Sequence, residues 1–309
     1  MAMISFCFLP QRAVLSISGK ERKSFLQGLI ANNVEKVSAS SVIHTALLTP
    51  QGKFLYEFFI VEVGESLLLE TESDRLEDLK SHLARFQLRA QIILTMENDM
   101  VVAVAFGEGV AAALNLMTTA PVRRMAGRSV AYIDPRRPEV GIRLVGEQEI
   151  LVRILHSINS NEVSETDYDR LRLKNGLPDG SRDLVVGRSG LLEYGFEELN
   201  GVDFSKGCYV GQEVVSRSKY RGLVKKRLVP VSIDGPVPTP GTPLLFGQRE
   251  AGEMRSAVEG IGLALLRLES LVQSQRACQS FRAGTTHLTP CLPAWLVLPD
   301  LSKGRRQVI

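Results

Sequence analysis

The chain has 309 residues, of which 44% are hydrophobic and 23% are charged, and its 37 basic and 34 acidic side chains leave a formal net charge of only +3. This composition is typical of a globular protein with roughly two domains, and it excludes disordered, collagen-like and coiled-coil chains. A chain so close to neutrality is also poorly suited to tight, non-specific binding of nucleic acid.

Neither a membrane span nor a secretory signal is expected. The longest apolar run, from Met100 to Phe106, is far shorter than the ~20 residues that cross a bilayer. The N-terminal segment lacks the basic start and cleavage site of a secretory signal, so the expected location is the cytoplasm. The 4 cysteines and 4 histidines are widely separated. Neither a disulfide scaffold nor a metal site built from protein ligands alone is therefore expected.

The first two thirds of the sequence predicts an α+β fold rather than alternating βαβ units. Two capping-box spacings, Ser18 with Glu21 and Thr166 with Asp169, mark helix starts. A Pro and a Gly in the segment 49–53 fit a type I turn, so the runs on either side predict a hairpin. The predicted elements are helix 25–34, strands 42–48, 54–63 and 67–71, helix 76–86, strand 100–106, helix 110–117, strands 128–133 and 141–145, helix 147–158, and a helix from Thr166 that ends before Gly176.

The composition changes near residue 230. Between Pro230 and Pro243, five of fourteen residues are proline and two are glycine. Because only short strands joined by turns tolerate that density, the remainder predicts a small β-rich domain. We therefore divide the chain into a first domain at 1–226, a second domain at 227–300 and a tail at 301–309.

The segment 107–112 has the GxGxxA spacing of a dinucleotide-binding turn, between a predicted strand and a predicted helix. Glu108 would place a carboxylate beside the pyrophosphate, and the surrounding strands are predicted to be antiparallel. We therefore favour a glycine-rich helix start over a nucleotide site.

One thiol stands out from the other three. Cys208 lies between two glycines that permit tight backbone, and Lys206 is close enough in sequence to stabilise a thiolate. Cys208 is therefore the best candidate for a reactive cysteine, and a buried, inert cysteine is the alternative that the residues leave open. The motif residues are Lys206, Gly207, Cys208, Tyr209, Gly211, Gln212 and Glu213.

A basic strip follows this motif. Six cations lie between Arg217 and Arg227, and no acid occurs between Glu213 and Asp234. Such a strip would attract a phosphate, a polycarboxylate or RNA. A solvated strand or hairpin edge is the alternative interpretation.

The octet from Lys206 to Glu213 (KGCYVGQE) resembles the signature of the YgfZ family, folate-binding proteins related to the T-protein, the aminomethyltransferase of the glycine cleavage system. Further matches follow in the expected order over residues 9–269, at 25–30, 33–34, 49–53, 134–136 and 262–267. The resemblance implies a ring of three α+β subdomains around a central folate cavity, with a small C-terminal β-barrel. It also implies bound tetrahydrofolate, or a one-carbon derivative of it.

The resemblance also implies which residues form the site. Cys208 would be the functional thiol, and Tyr168, Arg172, Arg12 and Glu193 would contact folate. A pterin needs a flat or apolar wall and hydrogen-bonding partners, and its glutamate tail needs cations. Tyr168 and Arg172 are four residues apart on a predicted helix, so they share one face. Simple packing is the alternative role for Tyr168.

One departure from the T-protein pattern concerns catalysis. Aminomethyltransferases carry a pair of aspartates after the turn glycine, and Tyr56 and Glu57 stand in their places here. A phenol with an ordinary pKa of about 10 cannot replace a carboxylate near neutral pH. Glu57 is the remaining candidate acid or base, although strand alternation turns it to the opposite face from Tyr56. Whether the chain is an enzyme therefore stays open.

By this resemblance, the expected function is that of a tetrahydrofolate-binding accessory protein that supports iron–sulfur cluster assembly or repair, including that of tRNA-modifying enzymes. Its expected partners are folate and iron–sulfur proteins or their assembly machinery. One alternative is a folate-dependent aminomethyl transferase that uses Glu57. Another is a tRNA-contacting module that uses the basic strip.

Overall fold

The computed structural model describes residues 3–296 and residue 298, and the tail predicted at 301–309 lies outside them. The strands are β1 (Ser5–Phe8), β2 (Arg12–Ser18), β3 (Ile43–Leu48), β4 (Phe54–Val63), β5 (Ser66–Glu72), β6 (Ile93–Met96), β7 (Met100–Phe106), β8 (Val122–Arg124), β9 (Val130–Ile133), β10 (Ile142–Glu147), β11 (Asn161–Glu162), β12 (Lys226–Asp234), β13 (Pro243–Phe246), β14 (Arg249–Val258), β15 (Ile261–Arg267), β16 (Phe281–Ala283) and β17 (Thr286–Pro290). The helices are α1 (Arg22–Gln27), α2 (Leu76–Gln87), α3 (Val110–Ala113), α4 (Gln148–Ser157), α5 (Glu165–Lys174), α6 (Gly180–Asp183), α7 (Gln212–Tyr220) and α8 (Leu268–Ala277).

The first sheet is antiparallel and has the strand order β3-β4-β5-β2-β6. Period-two alternation along β4 gives the sheet two different faces. One face, which includes Tyr56 and Phe58, packs in the same apolar cluster as Leu26 of α1 and Leu79 of α2. Phe59 belongs to the other face, which packs on the second sheet.

The second sheet has the order β11-β1-β7-β10-β9-β8, in which β1 and β11 pair in parallel and the other pairs are antiparallel. Its outer face packs with α3 and α4 through Val110, Leu151 and Leu155. The two sheets and the helices on their outer faces thus form a layered α+β core.

A third segment, residues 164–225, carries α5, α6 and α7 and joins the first sheet to a closed barrel of order β12-β15-β14-β13-β16-β17. The cluster at this junction includes Phe54 of β4, Leu191 of the segment and Leu263 of the barrel. None of the helices in residues 3–296 is both long and apolar enough to cross a bilayer.

The predicted α+β class, the β3–β4 hairpin and the strand Met100–Phe106 are confirmed. The β-rich C-terminal part is confirmed as the barrel, whose first strand begins at Lys226. The division into separate domains at residue 227 stays a prediction. The dinucleotide interpretation fails, since β7 pairs antiparallel with both of its neighbours and α3 spans only Val110–Ala113.

Several predicted helix limits were wrong. The first helix ends at Gln27, and Ile30 instead makes a β-bridge to Leu47. The predicted cap at Thr166 is displaced, because the capping box that opens α5 is formed by Ser164 and Asp167. The helix α7, directly after the thiol motif, and the helix α8 were not predicted; α7 has only Val215 buried, so its apolar period is weak.

Candidate functional site

Cys208 is exposed on the loop of residues 203–211, the thiol loop, which leads into α7. The loop is tied to the segment that follows α1 on both sides of the cysteine. Before it, the Asp203 N–H donates to the carbonyl of Ala31 (3.1 Å), and after it the Val210 N–H donates to the carbonyl of Gly28 (3.2 Å). The sulfur therefore sits at the surface on backbone that is held from below.

Lys206 points inward from the thiol loop. Its Nζ donates to the carbonyls of Gln27 (2.7 Å), Ile30 (2.7 Å) and Asn32 (2.9 Å), and it lies 5.0 Å from the ring centroid of Tyr209. Burial lowers the pKa of Lys206 to about 8, so the side chain is still an ammonium at neutral pH. Because an ammonium has three donors and carbonyls accept from all of them, Lys206 has no donor left to hydrogen-bond the thiol.

The turn at 49–53 supports the other end of the loop. Gly211 and Gly52 both have positive φ, +85° and +70°. A Cβ on Gly211 would lie 2.6 Å from the Thr49 carbonyl oxygen, and one on Gly52 would lie 2.9 Å from Cβ of Val214. Only glycine permits both the backbone conformation and this close approach. Three motifs that are distant in sequence thus meet beneath Cys208.

The other cysteines are placed differently. Cys7 is buried in the apolar cluster between the two sheets, and burial raises the pKa of its thiol to about 12. Cys278 and Cys291 are exposed near the barrel, at the end of α8 and just after β17. Within residues 3–296 and 298, no three His, Cys, Asp or Glu side chains lie close enough together to hold a metal ion.

A buried ion-pair cluster fills the centre between the two sheets and α5. Glu70 accepts hydrogen bonds from Arg12 Nε (3.0 Å), Arg143 Nε (2.8 Å) and the Tyr132 hydroxyl (2.6 Å). Burial alone would raise the pKa of Glu70, but the charges of Arg143 and Arg12 outweigh it and lower that pKa. The carboxylate is therefore ionised and fully committed to this cluster.

A second carboxylate continues the cluster. Asp134 binds Arg136 through Oδ1 to Nε (3.1 Å) and through Oδ2 to Nη2 (2.8 Å). The guanidinium groups of Arg136, Arg143 and Arg12 lie 4.8, 4.4 and 5.7 Å from the ring centroid of Phe59. Three cations therefore lie around one aromatic ring, and each gains a cation–π contact with it.

Tyr168 and Arg172 of α5 face this centre, as their spacing predicted. The Tyr168 hydroxyl accepts from Arg143 Nη1 (3.1 Å), and Arg172 donates to Asp183 Oδ2 (2.9 Å) and to Ser256 Oγ (3.0 Å) on the barrel strand β14. Both side chains are buried. Their polar atoms are occupied by other protein groups, so the structure uses them to join α5, the sheets and the barrel.

Three of the four predicted folate contacts lie together, and Glu193 does not join them. Arg12, Tyr168 and Arg172 line the same central gap. Glu193 instead lines a separate cleft of about 170 Å³ with Lys53, beside α7, where burial raises the pKa of its carboxyl group. Glu193 lies on the short helix 191–194, which packs against the first barrel strand, so it is apart from the other three residues.

Tyr56 and Glu57 point to opposite faces of β4, as alternation predicted. The Tyr56 hydroxyl donates to Asp78 Oδ2 (2.5 Å) beneath α2. Glu57 is 1% exposed and accepts from His44 Nε2 (3.1 Å) and from the Gly180 N–H (2.6 Å). Both oxygens of Glu57 thus accept hydrogen bonds from protein donors. The buried carboxylate therefore does not face a space that a substrate could enter.

Half of the six cations of the basic strip are paired with glutamates that precede it in sequence. Lys219 pairs with Glu197, Arg227 pairs with Glu198, and Arg217 pairs with Glu213. These three cations are therefore less available to bind RNA than the sequence alone indicates. The pairs reduce the net positive charge of the strip by about half.

Known proteins resemble the whole chain. The model of the CAF17 C-terminal β-barrel domain matches residues 225–298. The mitochondrial iron–sulfur cluster assembly factor IBA57 homologue of Neosartorya fischeri is 31% identical over 310 residues, which cover 84% of this chain and 69% of that protein. The chain belongs to the IBA57 family of iron–sulfur cluster assembly factors.

Two other members of the IBA57 family show the range of coverage. Mouse IBA57 is 28% identical over 94% of this chain and 85% of its own length. The Neurospora crassa homologue is 32% identical over 72% of this chain, and the match spans about half, 52%, of that longer protein. IBA57 proteins are the eukaryotic relatives of YgfZ, so the resemblance stated from the octet holds at the level of the broader family.

A solved structure confirms the fold. The aminomethyltransferase T of the glycine cleavage system from Bartonella henselae matches 95% of this chain and 86% of its own, with a TM-score of 0.74 and 12% identity. The predicted aminomethyltransferase-type ring with an appended β-barrel is therefore correct. At this identity the likeness extends to the fold alone.

The cytoplasmic location expected from the sequence is wrong, because the IBA57 relatives of this chain are mitochondrial proteins. The expectation rested on a missing secretory signal. That criterion separates exported proteins from the rest and does not distinguish the cytoplasm from the mitochondrion.

The centre of the ring does not fit tetrahydrofolate. The gap bounded by Arg12, Phe59, Arg143, Tyr168 and Arg172 has a volume of about 10 Å³, which is room for about one water molecule. Sites for ligands of this size are typically about 300 Å³ or larger. The cations that would hold a glutamate tail are paired with Glu70, Asp134 and Asp183 instead.

Proposed function

We propose that this chain is an accessory factor in iron–sulfur cluster assembly or repair, and that the thiol of Cys208 is its working group. Membership of the IBA57 family supports the biological role. The observation that carries the assignment to Cys208 is the thiol loop itself: an exposed sulfur on backbone that is fixed by two other segments, residues 27–32 and the turn at 49–53.

The chemistry of the cluster defines what one thiol can contribute. Iron–sulfur clusters are generally held by four cysteine thiolates. Cys208 supplies one such ligand, so the remaining ligands in this proposal come from a second protein that carries or receives the cluster. An exposed, fixed thiol suits a transient shared site, because the partner can approach from solvent while the direction of the sulfur is preset.

Tetrahydrofolate is not part of this proposal, because the central gap does not accommodate it. A one-carbon transferase is disfavoured for the same reason, and also because Glu57 is buried with both oxygens hydrogen-bonded. The tRNA-contacting alternative is weakened, since three of the six cations in the basic strip are paired with acids. The link to tRNA-modifying enzymes rests on the resemblance to the YgfZ family. The complementation experiment below tests it by measuring the activity of one such enzyme.

The proposal is tested by complementation. In cells that lack the endogenous gene, the wild-type chain and Cys208→Ser are expressed at equal levels, and the activities of iron–sulfur enzymes are measured, including one that modifies tRNA. We expect wild type to restore activity and Cys208→Ser to leave it at the deletion level. Cys278→Ser and Cys291→Ser are matched controls, because both remove an exposed thiol elsewhere. Full rescue by Cys208→Ser would refute the role of this thiol.

A further inference from the structure

The inner side of the thiol loop is where the loop is fixed. Its outer side is open: a Cβ on Gly207 would meet no atom within 4 Å, and Cys208 is exposed. The direction of the sulfur must therefore be set by contacts beneath the loop. Three of those contacts come from a single side chain, Lys206.

The acceptors of Lys206 form one feature. The carbonyls of Gln27, Ile30 and Asn32 belong to the last residue of α1 and the segment directly after it. The last carbonyls of a helix lack partners within the helix and carry the negative end of its dipole. Of the three acceptors, only the carbonyl of Gln27 belongs to the helix, and those of Ile30 and Asn32 follow it. The buried ammonium of Lys206 donates to all three.

We propose that Lys206 is the positioning residue of the thiol loop: it binds the loop to the end of α1 through three backbone carbonyls and so presents Cys208 at the surface. This inference rests on the proposed function of Cys208 and states how that site is held. The role of Lys206 is mechanical, and it differs from the one that its neighbourhood in sequence suggests, in which the lysine charge stabilises the thiolate.

The geometry separates the two roles. All three donors of Lys206 are within 2.9 Å of backbone oxygens, so none is left to donate to the sulfur. The ring of Tyr209 lies against the ammonium (5.0 Å to the centroid) and adds a cation–π contact. The nearest acid, Asp203, is itself paired with Lys36 (2.8 Å).

Spin labelling of Cys208 measures the position of the loop directly. In a Cys278→Ser, Cys291→Ser background, Cys208 is the exposed thiol and Cys7 is buried. We compare wild-type, Lys206→Met and Lys225→Met chains. Lys225 is an exposed cation of the basic strip and serves as a matched control.

We expect the label in Lys206→Met to rotate about threefold faster than in wild type, because loops released from their contacts move on faster timescales. The Val210 amide, which donates to Gly28, should lose hydrogen-exchange protection by about tenfold or more. The midpoint of the pH dependence of Cys208 alkylation should stay the same. Lys225→Met should match wild type in all three measurements.

The opposite pattern overturns the proposal. If Lys206 acts through its charge, Lys206→Met will raise the midpoint of alkylation by about one pH unit, the shift expected when a nearby cation is lost, while label mobility and amide protection stay unchanged.

Lys206→Arg keeps the proposal testable if the methionine variant does not fold. Arginine retains the charge, but its planar fork cannot direct three donors as an ammonium does. We expect a mobile label in this variant, and an immobile one would refute positioning. Because mobility is measured on the purified chain, failure of Cys208 in the rescue assay and failure of this inference are distinguishable.

Discussion

The thiol loop keeps one atom exposed, whereas the central ion-pair cluster fills the centre of the ring, and the two are built from different groups. The loop holds one exposed atom, and it does so with backbone carbonyls, two glycines and a single buried ammonium. The cluster leaves a gap of about 10 Å³ at the centre of the ring, and it does so with paired arginines and carboxylates. The first arrangement presents a group to solvent, and the second removes the space for a ligand.

The two regions also differ in how easily another molecule can approach them. A buried network in which every charge has a partner is costly to disturb, since removing one member leaves an uncompensated charge. A surface loop fixed by a few hydrogen bonds can be approached by another protein without unfolding anything. In this chain the centre of the ring is therefore a structural core, and the thiol that we propose as the working group lies on a surface loop.

The largest effect should come from breaking the central cluster at Glu70. Glu70→Ala leaves Arg12 and Arg143 without their main carboxylate partner, so we expect the free energy of unfolding to fall by about 3–5 kcal/mol. Urea unfolding followed by circular dichroism measures this. The control is Glu213→Ala, which removes an exposed pair with Arg217 and should change stability very little. Equal effects would contradict the contrast between core and surface.

Low pH should also destabilise the folded chain through its buried carboxylates, and Glu57 is the example tested here. Burial alone would raise the pKa of Glu57, but the hydrogen bond from His44 and the charge of Arg12 lower it from 4.5 to about 2. Between these values the unfolded chain binds more protons than the folded one, so stability is lost as pH falls from about 4.5 to about 2, by at most about 3 kcal/mol. Unfolding free energies measured at pH 7, 5, 4 and 3 show this slope, and it should flatten in Glu57→Gln. An unchanged slope would mean that other carboxylates cause the acid loss.

A smaller effect is expected at the loop. Lys206→Met leaves three carbonyls without their donor, which should cost about 1–3 kcal/mol. Lys225→Met should change stability by less than about 0.5 kcal/mol, as is usual for exposed sites. Thermal unfolding of both variants measures the difference. A Lys206→Met chain as stable as wild type would show that the loop does not depend on this contact.

Sequence reasoning identified the segments of the thiol loop but not the way they meet. The octet and the turn at 49–53 were recognised as motifs, yet Lys206 binds carbonyl oxygens of Gln27, Ile30 and Asn32. Every residue has a carbonyl, so such contacts leave no trace in residue identity. The only sequence feature that pointed to these contacts was the presence of a lysine in the octet, two residues before Cys208.

The central cluster left a clearer signal that was not used. Glu70 and Arg143 are single charges inside apolar strand runs, where a buried charge needs a partner. Alternation along β5 and β10 could have placed both on buried faces. Their pairing could not be predicted, because it joins strands of two different sheets, 73 residues apart in sequence. The central folate cavity was expected only from the family resemblance, and in this chain these ion pairs fill that space.

The last prediction is that reduced folate does not bind the chain and does not change its stability. This result bears most directly on the comparison between the central cluster and the thiol loop. We expect calorimetric titration with 5-formyltetrahydrofolate to give no saturable heat, and thermal unfolding to stay unchanged at about 1 mM ligand, because a ligand that binds only the folded state must raise its stability. Micromolar binding by the wild-type chain would mean that the ion pairs open for a ligand, and the division between a structural centre and a functional surface loop would then be wrong.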